Sequence, residues 1–599
     1  MATALLRNGI ARSFSRLRLD QLTTTRHFRT QNVLKRREPN DFGGGHTFQK
    51  GVHESVPKSE FHRTSSAATR NIVAAFALGT SIVGIYFATK KSVRAKSLPA
   101  DTKKSPIYKK AEVAKHKTKE TGIWVTYQGH VYDITEFVDM HPGGTKVLLA
   151  AGGALEPFWS MYPVHKESSV IHWLEKYRIG EMAPDEAKHV DTSDPFAGDP
   201  ERHPALQVNS ARPFNAETPL ELLTDNFVTP NELFFVRNHL PVPNVDAKNY
   251  KLTVSGLGVK TMEFSLNDLK KKFKKHTVKA TMECAGNRRA EMTEIKEVKG
   301  LMWKGTAISN AEWSGVLLRD VLKSCGFNVD DPNVSHVQFE GYDKDPAAGG
   351  HYGASVPSEL ALNPQGDVLL AYEMNGEDLP VDHGFPVRVV IPGTVGARNV
   401  KWLSQIVTSN EESKSHWQQN DYKGFNPSVD WDTIDYKNAI PINEAPVTSA
   451  ICVPQPGKTL DDDEEVSVKG YAWSGGGRGI IRVDLSLDGG KTWQVASLQK
   501  DESRYNRHWS WTLWEADLKI PKNHQGKVEI ICKATDSSYN TQPDSVAGIW
   551  NVRGLLNNAW HKVVAKVPDS EETKPFGTPE IQSVFSAGWP HYMFQANFF

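Results

Sequence analysis

The segment Glu283-Cys284-Ala285-Gly286-Asn287-Arg288-Arg289 places one thiol close to two guanidinium groups, directly after the strand-like run Thr277–Met282. Positively charged neighbours lower the pKa of a thiol and favour the thiolate. A thiolate can be a nucleophile when a histidine base lies close to it in the fold, or a soft ligand for a transition metal. The segment therefore predicts a chemically active cysteine, and the residues alone leave both roles open.

The composition of the whole chain narrows the class of protein. The 599 residues are 39% hydrophobic and 24% charged, which excludes wholesale disorder and a polytopic membrane protein. Lys and Arg number 71 against 70 Asp and Glu, so no chain-wide basic field exists and no nucleic-acid partner is expected. Only 4 cysteines are present, too few for a disulfide scaffold. Cys325, Cys452 and Cys532 lie in helix or strand patterns without a pair of cationic neighbours, and we predict that they are core residues.

Two further segments of the central region carry polar side chains in rigid surroundings. Phe235–Pro243 holds an Arg-Asn-His cluster between apolar and proline residues, which suggests a loop that presents donors to an anionic ligand. The second region is Asp382–Arg388, followed by Val395–Trp402.

A small module upstream has the pattern of a haem site. Trp124–Tyr127 and Val131–Ile134 are β-prone runs around a Gln-Gly-His turn and predict a hairpin. His141 begins a His-Pro-Gly-Gly turn, the apolar helical stretch Thr145–Ala151 follows, and His165 comes later. Two neutral imidazoles on opposite sides of an apolar pocket suit a six-coordinate haem iron, so the sequence predicts His141 and His165 as its ligands.

The first hundred residues differ from the rest. Met1–Leu19 contains four arginines and no acidic residue, which is typical of a mitochondrial transit peptide. Ile72–Ala88 is a run of 17 residues without a charge, the short limit for a bilayer span. One interpretation is a single-pass anchor. The other, which we favour, is a removable two-part address that sorts the protein to the mitochondrial intermembrane space.

Taken together, these motifs resemble a known family. The run from Trp124 to Gly180 resembles cytochrome b5, and the central segments resemble the molybdenum-cofactor domain of sulfite oxidases. The stretch from about 105 to 565 resembles animal-type sulfite oxidases as a whole. The resemblance implies one molybdenum–molybdopterin and one haem b per subunit, with Cys284 as the protein thiolate on molybdenum.

The resemblance also implies the residues of the two sites. An anion-binding pocket needs positive charge because sulfate is a dianion, and guanidinium groups offer forked donors to it. The implied catalytic residues are Cys284, Arg237, Arg289, Arg553, Trp303 and Tyr372. The implied cofactor-binding residues are Phe235, Val236, Arg237, Asn238, His239, Asp343, His383, Arg388, Asn399, Val400 and Lys401.

Two of these positions, and the neighbouring Arg288, have a second interpretation or a departure from the family. Tyr372 lies in Val368–Met374, which reads as a strand entering an Asn-Gly hairpin turn, so the residue alone favours a core role. Arg288, beside Arg289, can equally be a structural ion-pair partner. Asn399 stands where the resemblance implies a histidine.

From about Thr448 the pattern becomes all-β. Ile480–Leu487 and Thr492–Leu498 flank Asp488-Gly489-Gly490, a strong hairpin signal that suits an immunoglobulin-type sandwich. The expected fold is thus α+β and multidomain. The expected units are a presequence (1–100), a cytochrome b5-like domain (105–183), a flexible acidic and proline-rich linker (184–203), an α+β molybdopterin domain (204–430), an immunoglobulin-like dimerisation domain (431–565) and a tail without an assigned role (566–599).

The activity that the resemblance implies is sulfite oxidation. Sulfite would become sulfate by oxygen-atom transfer at molybdenum, and the electrons would pass one at a time through the haem to cytochrome c. Two alternatives remain. A nitrate reductase-like enzyme would place molybdenum before haem and add a flavin and nicotinamide module. A non-catalytic haem electron carrier would have a degenerate central domain.

Overall fold

The computed structural model describes residues 105–568 except 142–143, 162–164, 166, 185–193, 347–348 and 462–463. The presequence, the apolar segment 72–88, the Pro-Gly of the His141 turn, residues 185–193 of the linker and the tail beyond 568 therefore lie outside the described residues. No helix within the described ranges is long and apolar enough to cross a membrane.

The first module is a small mixed sheet with short helices on it. Its strands pair in the order β1-β5-β4-β3-β2, and the predicted hairpin is present as β3 and β4, joined at Tyr127 and His130. Val125 and Tyr132, which pair across this hairpin, pack into an apolar core and are buried. The stretch predicted as a helix after His141 is a 3-10 helix, Gly144–Ala150. The strands are β1 (Ile107–Tyr108), β2 (Lys117–Thr118), β3 (Gly122–Tyr127), β4 (His130–Asp133) and β5 (Arg178–Met182), and the α-helices are α1 (Lys110–Val113), α2 (Glu156–Met161) and α3 (Ser168–Leu174).

The central module contains three sheets, and the two larger ones share an apolar core. Their strand orders are β6-β7-β8, β10-β9-β18-β13-β14 and β11-β12-β15-β16, with β17 paired to β15. The strands are β6 (Gln207–Ala211), β7 (Phe214–Glu217), β8 (Val236–Arg237), β9 (Leu252–Gly256), β10 (Met262–Phe264), β11 (His276–Glu283), β12 (Ile308–Leu317), β13 (His336–Lys344), β14 (His351–Pro357), β15 (Leu369–Met374), β16 (Glu377–Asp378), β17 (Arg388–Val390) and β18 (Leu403–Ser409).

Helices of the central module are short and start where side chains can satisfy their first amides. Ser265 and Asp268 form a capping box at the first of them, in which each side chain accepts from the other residue's backbone N–H. The α-helices are α4 (Leu266–Lys272), α5 (Arg289–Ile295), α6 (Leu318–Ser324), α7 (Ser358–Ala361) and α8 (His416–Gln419).

The C-terminal module is the predicted β-sandwich. Two four-stranded antiparallel sheets, β19-β20-β24-β23 and β22-β21-β25-β26, enclose a second apolar core. The hairpin predicted at Asp488-Gly489-Gly490 pairs β21 with β22. The strands are β19 (Thr448–Val453), β20 (Glu465–Trp473), β21 (Ile480–Ser486), β22 (Gln494–Val495), β23 (Ser497–Gln499), β24 (Thr512–Lys519), β25 (Lys527–Asp536) and β26 (His561–Lys566).

The second half of the predicted linker is packed rather than solvated. Arg202 donates to Asp199 at 3.0 Å and to Asp382 of the central module at 2.8 Å, and the side chains of all three are mostly buried. His203 lies within hydrogen-bond distance of Ala154 O, at 3.0 Å, so this segment also contacts the first module. The abundance of acids and prolines predicted a tether here, but its described acids pair with cations: Asp199 with Arg202, Asp194 with Arg212 and Glu201 with Lys110.

Candidate active site

Cys284 lies in a tight turn between strand β11 and helix α5. Its amide donates to Ala307 O at 2.9 Å, which fixes the turn to the neighbouring strand. Asn287 braces the same turn, because its side-chain amide donates to Glu283 at 2.8 Å and accepts from the Ala307 amide at 3.1 Å. The turn presents the Cys284 side chain to a cavity and keeps it almost fully buried.

The cavity brings together most of the residues that the sequence predicted for a cofactor site. The predicted residues that line it are Phe235, Arg237, His239, Cys284, Asp343, His383, Arg388, Asn399 and Lys401. The other lining residues are Phe234, Met282, Tyr352, Gly396, Ala397, Trp402 and Tyr422.

Three predicted cofactor residues support the wall from behind. Val236 belongs to strand β8 and pairs with Ala216, and Val400 is buried in the central apolar core. Asn238 donates to Asp382 at 3.0 Å and accepts from the Lys401 ammonium. These residues therefore fix the backbone and the side chains that face the cavity.

Two buried cations, Arg388 and Lys401, are held at the cavity by carbonyl oxygens. Arg388 donates to His383 O at 2.9 Å and to Asn399 O at 3.1 Å, and burial lowers its pKa to about 9. Lys401 donates to Asp382 O at 2.7 Å. Burial lowers the pKa of Lys401 and raises that of the nearby Asp343, although each charge favours the ionised form of the other. The positive charges of these two buried side chains are only partly compensated by carboxylates of the protein. Such donors suit a polar, negatively charged ligand.

Asn399 uses its side chain within its own loop. Its amide oxygen accepts from the Ile391 N–H at 2.7 Å, and its NH₂ donates to Thr394 at 3.1 Å and to Val395 O at 3.0 Å. The side chain is therefore a brace for the segment 391–399, and the contribution of Asn399 to Arg388 comes from its backbone carbonyl.

Tyr422 forms a polar pair with His239 on the cavity wall, and the sequence did not single it out. Its hydroxyl lies 2.7 Å from Nε2 of His239. Burial lowers the pKa of His239 and raises that of Tyr422, so both are neutral near pH 7. In the sequence, Tyr422 is marked only by its charged neighbours Asp421 and Lys423, in a stretch without strand periodicity.

Arg289 occupies a cradle made by glycines. A Cβ atom on Gly286, Gly300 or Gly554 would lie 2.6, 2.7 or 2.8 Å from atoms of the Arg289 side chain, so a side chain at any of these positions would displace it. The guanidinium donates to Gly554 O at 3.0 Å and to Leu301 O at 2.8 Å. Burial lowers the pKa of Arg289, and the charges of Arg237 and Arg553 add to this effect. The three predicted anion-binding arginines are therefore electrostatic neighbours.

The other two arginines are anchored differently. Arg237 donates to Asn215 at 3.1 Å and to Asn238 O at 2.6 Å. Arg553 forms an ion pair with Asp421. Arg288 points away from the cavity, since it pairs with Glu291 at 2.7 Å and donates to Ala559 O at 2.8 Å, which makes it a structural ion-pair partner.

The expectation of a lowered thiol pKa at Cys284 is wrong for the protein without metal. Arg237 and Arg289 do lower the pKa of the thiol, but burial raises it by more, and the net shift is upward. The charge of a thiolate is costly in this apolar surrounding unless a bound cation compensates it. This environment favours a metal ligand over a free nucleophile.

Tyr372 does not reach the cavity. It lies in strand β15 and belongs to the central apolar core, with its ring 5.2 Å from the Lys270 ammonium. The structure therefore supports the interpretation of Tyr372 as a core strand residue and not as a residue of the pocket. Trp303, in contrast, packs in the same apolar cluster as Cys284.

Several buried polar atoms at the site have no hydrogen-bond partner among the described residues. They are Oδ1 of Asp343, Nε1 of Trp303 and Nε of Arg553. Buried polar groups are almost always paired in folded proteins, so orphaned atoms beside a cavity indicate a ligand that pairs with them. A single thiol, cationic donors and the orphaned oxygen of Asp343 around one cavity fit a metal-bearing, anionic cofactor.

The two histidines of the first module face each other across a gap. The His141 and His165 ring centroids are 6.2 Å apart and their planes differ by 9°. An iron with metal–nitrogen distances of roughly 2 Å on each side fits between two such rings. Burial lowers the pKa of His141 to about 4, which keeps its imidazole neutral and able to ligate a metal. The geometry fits a haem iron with two histidine ligands.

Comparison with known proteins matches each module to a family. The models named cytochrome b5-like heme/steroid binding domain, oxidoreductase molybdopterin binding domain and Mo-co oxidoreductase dimerisation domain match residues 109–183, 239–417 and 439–567. A Gallus gallus protein named sulfite oxidase is 57% identical over 459 residues, 76% of this chain and 99% of that protein.

One more sequence relative and one solved structure also match this chain. A Homo sapiens protein named sulfite oxidase, mitochondrial, is 57% identical over 461 residues, 76% of this chain and 84% of that protein. The solved structure of the sulfane dehydrogenase SoxCD from Paracoccus pantotrophus has a TM-score of 0.50 and 26% identity, and covers 65% of this chain and 97% of that one. The sequence relatives thus share both the haem-type and the central module.

Proposed function

The chain belongs to the sulfite oxidase family, and we propose that it oxidises sulfite to sulfate in the Cys284 cavity and delivers the electrons to cytochrome c. The observation that carries the assignment of the site is the single buried thiol at a cavity bordered by cationic side chains. The enzyme is an oxidoreductase with a molybdopterin-binding and a haem-binding module. Its C-terminal module is a dimerisation domain, and the protein is a homodimer.

The protein's own residues would hold the two cofactors. Cys284 would ligate molybdenum, and Arg388, Lys401, His383 and Asp343 would bind the pterin part through the donors and the orphaned oxygen that face the cavity. When bound, the molybdenum cofactor supplies the oxygen atom that sulfite takes up and accepts two electrons, which the haem passes on singly.

Arginine side chains would bind the substrate and the product. Arg237, Arg289 and Arg553 present guanidinium groups whose mutual repulsion is relieved by an oxyanion. The carbonyl contacts and the glycine cradle fix Arg289 before the anion arrives, so its ordering costs little during binding. Trp303 would exclude water from one side of this pocket.

The neutral Tyr422–His239 pair would add a directional contact. The phenol hydrogen can be given to His239 Nε2 or to an oxyanion, because the two acceptors compete for one proton. Tyr422 would therefore orient a bound oxyanion without adding a charge. In this role it replaces Tyr372.

The haem module would carry the electrons away from the cavity, and the N-terminal targeting segment bears on which acceptor receives them. His141 and His165 would ligate the haem iron, and with both axial positions filled the iron carries single electrons. Relatives from Homo sapiens and Rattus norvegicus are named mitochondrial sulfite oxidases, which supports a mitochondrial location for this chain. The basic arm and the uncharged 17-residue segment favour the intermembrane space, where cytochrome c would be the acceptor.

Two rivals are less well supported. A nitrate reductase-like chain would place the molybdenum module before the haem module, whereas here residues 109–183 precede 239–417. A non-catalytic carrier with a degenerate central domain would not need an arginine cradle and a buried thiol beside one cavity.

The decisive experiment combines element analysis with an assay on the full chain. We expect molybdenum and iron in equal amounts and sulfite-dependent reduction of cytochrome c. Iron without molybdenum would support the electron carrier, and activity on nitrate but not on sulfite would support the other rival.

We also propose that reduction of the haem requires the haem module to approach the central module, through the predicted linker 184–203, of which residues 185–193 lie outside the described part of the chain. Inserting a rigid proline segment there would slow the reduction of haem by sulfite more than it weakens sulfite binding, because only electron transfer needs the modules to approach. Rapid-mixing spectroscopy of the haem measures the first quantity and sulfite dependence the second. Equal effects on both would contradict this proposal.

A further inference from the structure

One arginine of the anion pocket is bound by a carboxylate of the same chain. Nη2 of Arg553 pairs with Oδ1 of Asp421, and only 19% and 17% of the two side chains are exposed. The guanidinium also lies over the Trp431 ring, 5.8 Å from its centroid. Its Nε is buried and has no partner among the described residues. Arg553 is thus held, but its donor capacity is not filled.

Asp421 holds this arginine at the edge of the reactive cavity. It directly precedes Tyr422, which lines the cavity and contacts His239. Its charge also acts on Arg237: burial lowers the pKa of that guanidinium, but Asp421 is among the groups that raise it, and the net shift is upward. The carboxylate therefore lies among the arginines that would receive the substrate.

A carboxylate and a sulfur oxyanion make the same demand on a guanidinium, because both accept two parallel N–H donors. They cannot both take the same face of one guanidinium. The free energy of binding an anion to Arg553 is therefore reduced by the free energy of the ion pair that it displaces. For an enzyme that must release a dianionic product, such competition favours turnover over tight binding.

We propose that Asp421 is an affinity-setting residue: it binds Arg553 when the pocket is empty and competes with sulfite and sulfate for that guanidinium. This rests on the proposed function, because it requires that the pocket accept these anions. When the product leaves, Asp421 takes Arg553 back, so the guanidinium never loses its anionic partner. Removing the carboxylate would strengthen product binding and slow product release.

The test is sulfate binding to the full-length holoenzyme, measured by equilibrium dialysis with radiolabelled sulfate and without sulfite. We expect Asp421→Asn to lower the dissociation constant for sulfate by about tenfold, the order of a lost competing ion pair. Asp435→Asn is the matched control, because this exposed carboxylate in the same segment contacts only its own turn, at Lys437 and Asn438. It should leave sulfate binding unchanged.

A double-mutant cycle separates the proposed competition from a general effect of charge. In an Arg553→Met background, Asp421→Asn should no longer strengthen sulfate binding. A full effect in that background, or unchanged or weaker binding in the Asp421→Asn variant alone, would overturn the proposal. Asp421→Ser serves as a second variant, and haem absorption and the thermal midpoint verify the fold of each protein.

The same material separates this proposal from the proposed function. Reduction of the haem by sulfite in the parent enzyme tests the function, and sulfate affinity tests the role of Asp421. A parent that oxidises sulfite while Asp421→Asn binds sulfate no better would retain the function and refute the competition.

Discussion

The hydroxyl of Tyr422 lies 2.7 Å from Nε2 of His239, on the wall of the cavity that contains Cys284. Neither side chain carries a charge near pH 7, since burial lowers the pKa of the imidazole and raises that of the phenol. A neutral hydroxyl at this place can orient an oxyanion that the arginines attract. Tyr422 lines the cavity and Tyr372 does not, so removing the hydroxyl of each should affect activity differently.

Replacing Tyr422 by Phe should lower kcat/KM for sulfite by about tenfold, since it removes one hydrogen bond near the reacting atoms. Tyr372→Phe is the matched control. It removes a hydroxyl from a core strand away from the cavity and should change kcat/KM less than about twofold. Steady-state kinetics of both variants checks the pair. A larger effect at Tyr372 than at Tyr422 would restore the original assignment.

Substituting Cys284 by Ser should abolish sulfite oxidation and leave the haem spectrum intact. A hydroxyl is a harder, much less acidic donor than a thiol and does not replace a thiolate on a soft metal. Element analysis, haem absorption and the assay together check this expectation. Normal turnover by the Cys284→Ser variant would refute the role of Cys284 as the metal ligand.

Replacing His165 by Ala should remove one axial ligand from the haem site. We expect loss of the six-coordinate low-spin spectrum and of cytochrome c reduction, while an artificial acceptor that takes electrons at the molybdenum site still supports sulfite oxidation. The exposed His172 on helix α3 provides a control, because His172→Ala alters the same module away from the facing rings. Loss of both activities in the His165 variant would show that the modules do not act independently.

His561 should make the C-terminal sandwich sensitive to acid. Its Nδ1 accepts from the Ile451 amide at 3.1 Å, and burial, with a smaller effect of Arg288, lowers its pKa to about 4. The unfolded chain takes up the proton near pH 6.5, so stability is full above that pH and falls as the pH drops towards 4. Between pH 7 and 5 this amounts to about 2 kcal/mol.

Chemical denaturation at pH 7 and at pH 5 measures this difference in the free energy of unfolding. The His561→Asn variant keeps an acceptor for the Ile451 amide but does not titrate, so its loss of stability between pH 7 and 5 should be smaller by about 2 kcal/mol. An identical pH dependence in the two proteins would exclude His561 as the source.

The strands and sheets followed from local pattern, because alternation and turn residues act over a few neighbours. The Asn375-Gly376 turn and the Asp488-Gly489 hairpin formed as predicted, with positive φ at Asn375 and at both glycines. The motifs around Cys284 and Arg388 likewise predicted the cavity, since each motif is contiguous in sequence.

The remaining differences depend on contacts between distant segments. Tyr422 and Cys284 meet only through folding, and no periodicity in the chain records that meeting. The thiol pKa depended on the extent of burial, which a list of charged neighbours does not contain. Arg202 turned the end of an acidic linker into a packed segment by pairing with Asp382, far away in the sequence.

Gly554 has a consequence for how this architecture can vary. Together with Gly286 and Gly300 it makes room for Arg289, yet it belongs to the stretch matched by the dimerisation model, residues 439–567. The substrate chamber is thus closed by the last module of the chain and not by the central one alone. A shortened protein that ends before residue 439 would forfeit its anion specificity along with its two-fold partner, so the two modules are expected to be inherited, and to be engineered, as a single unit.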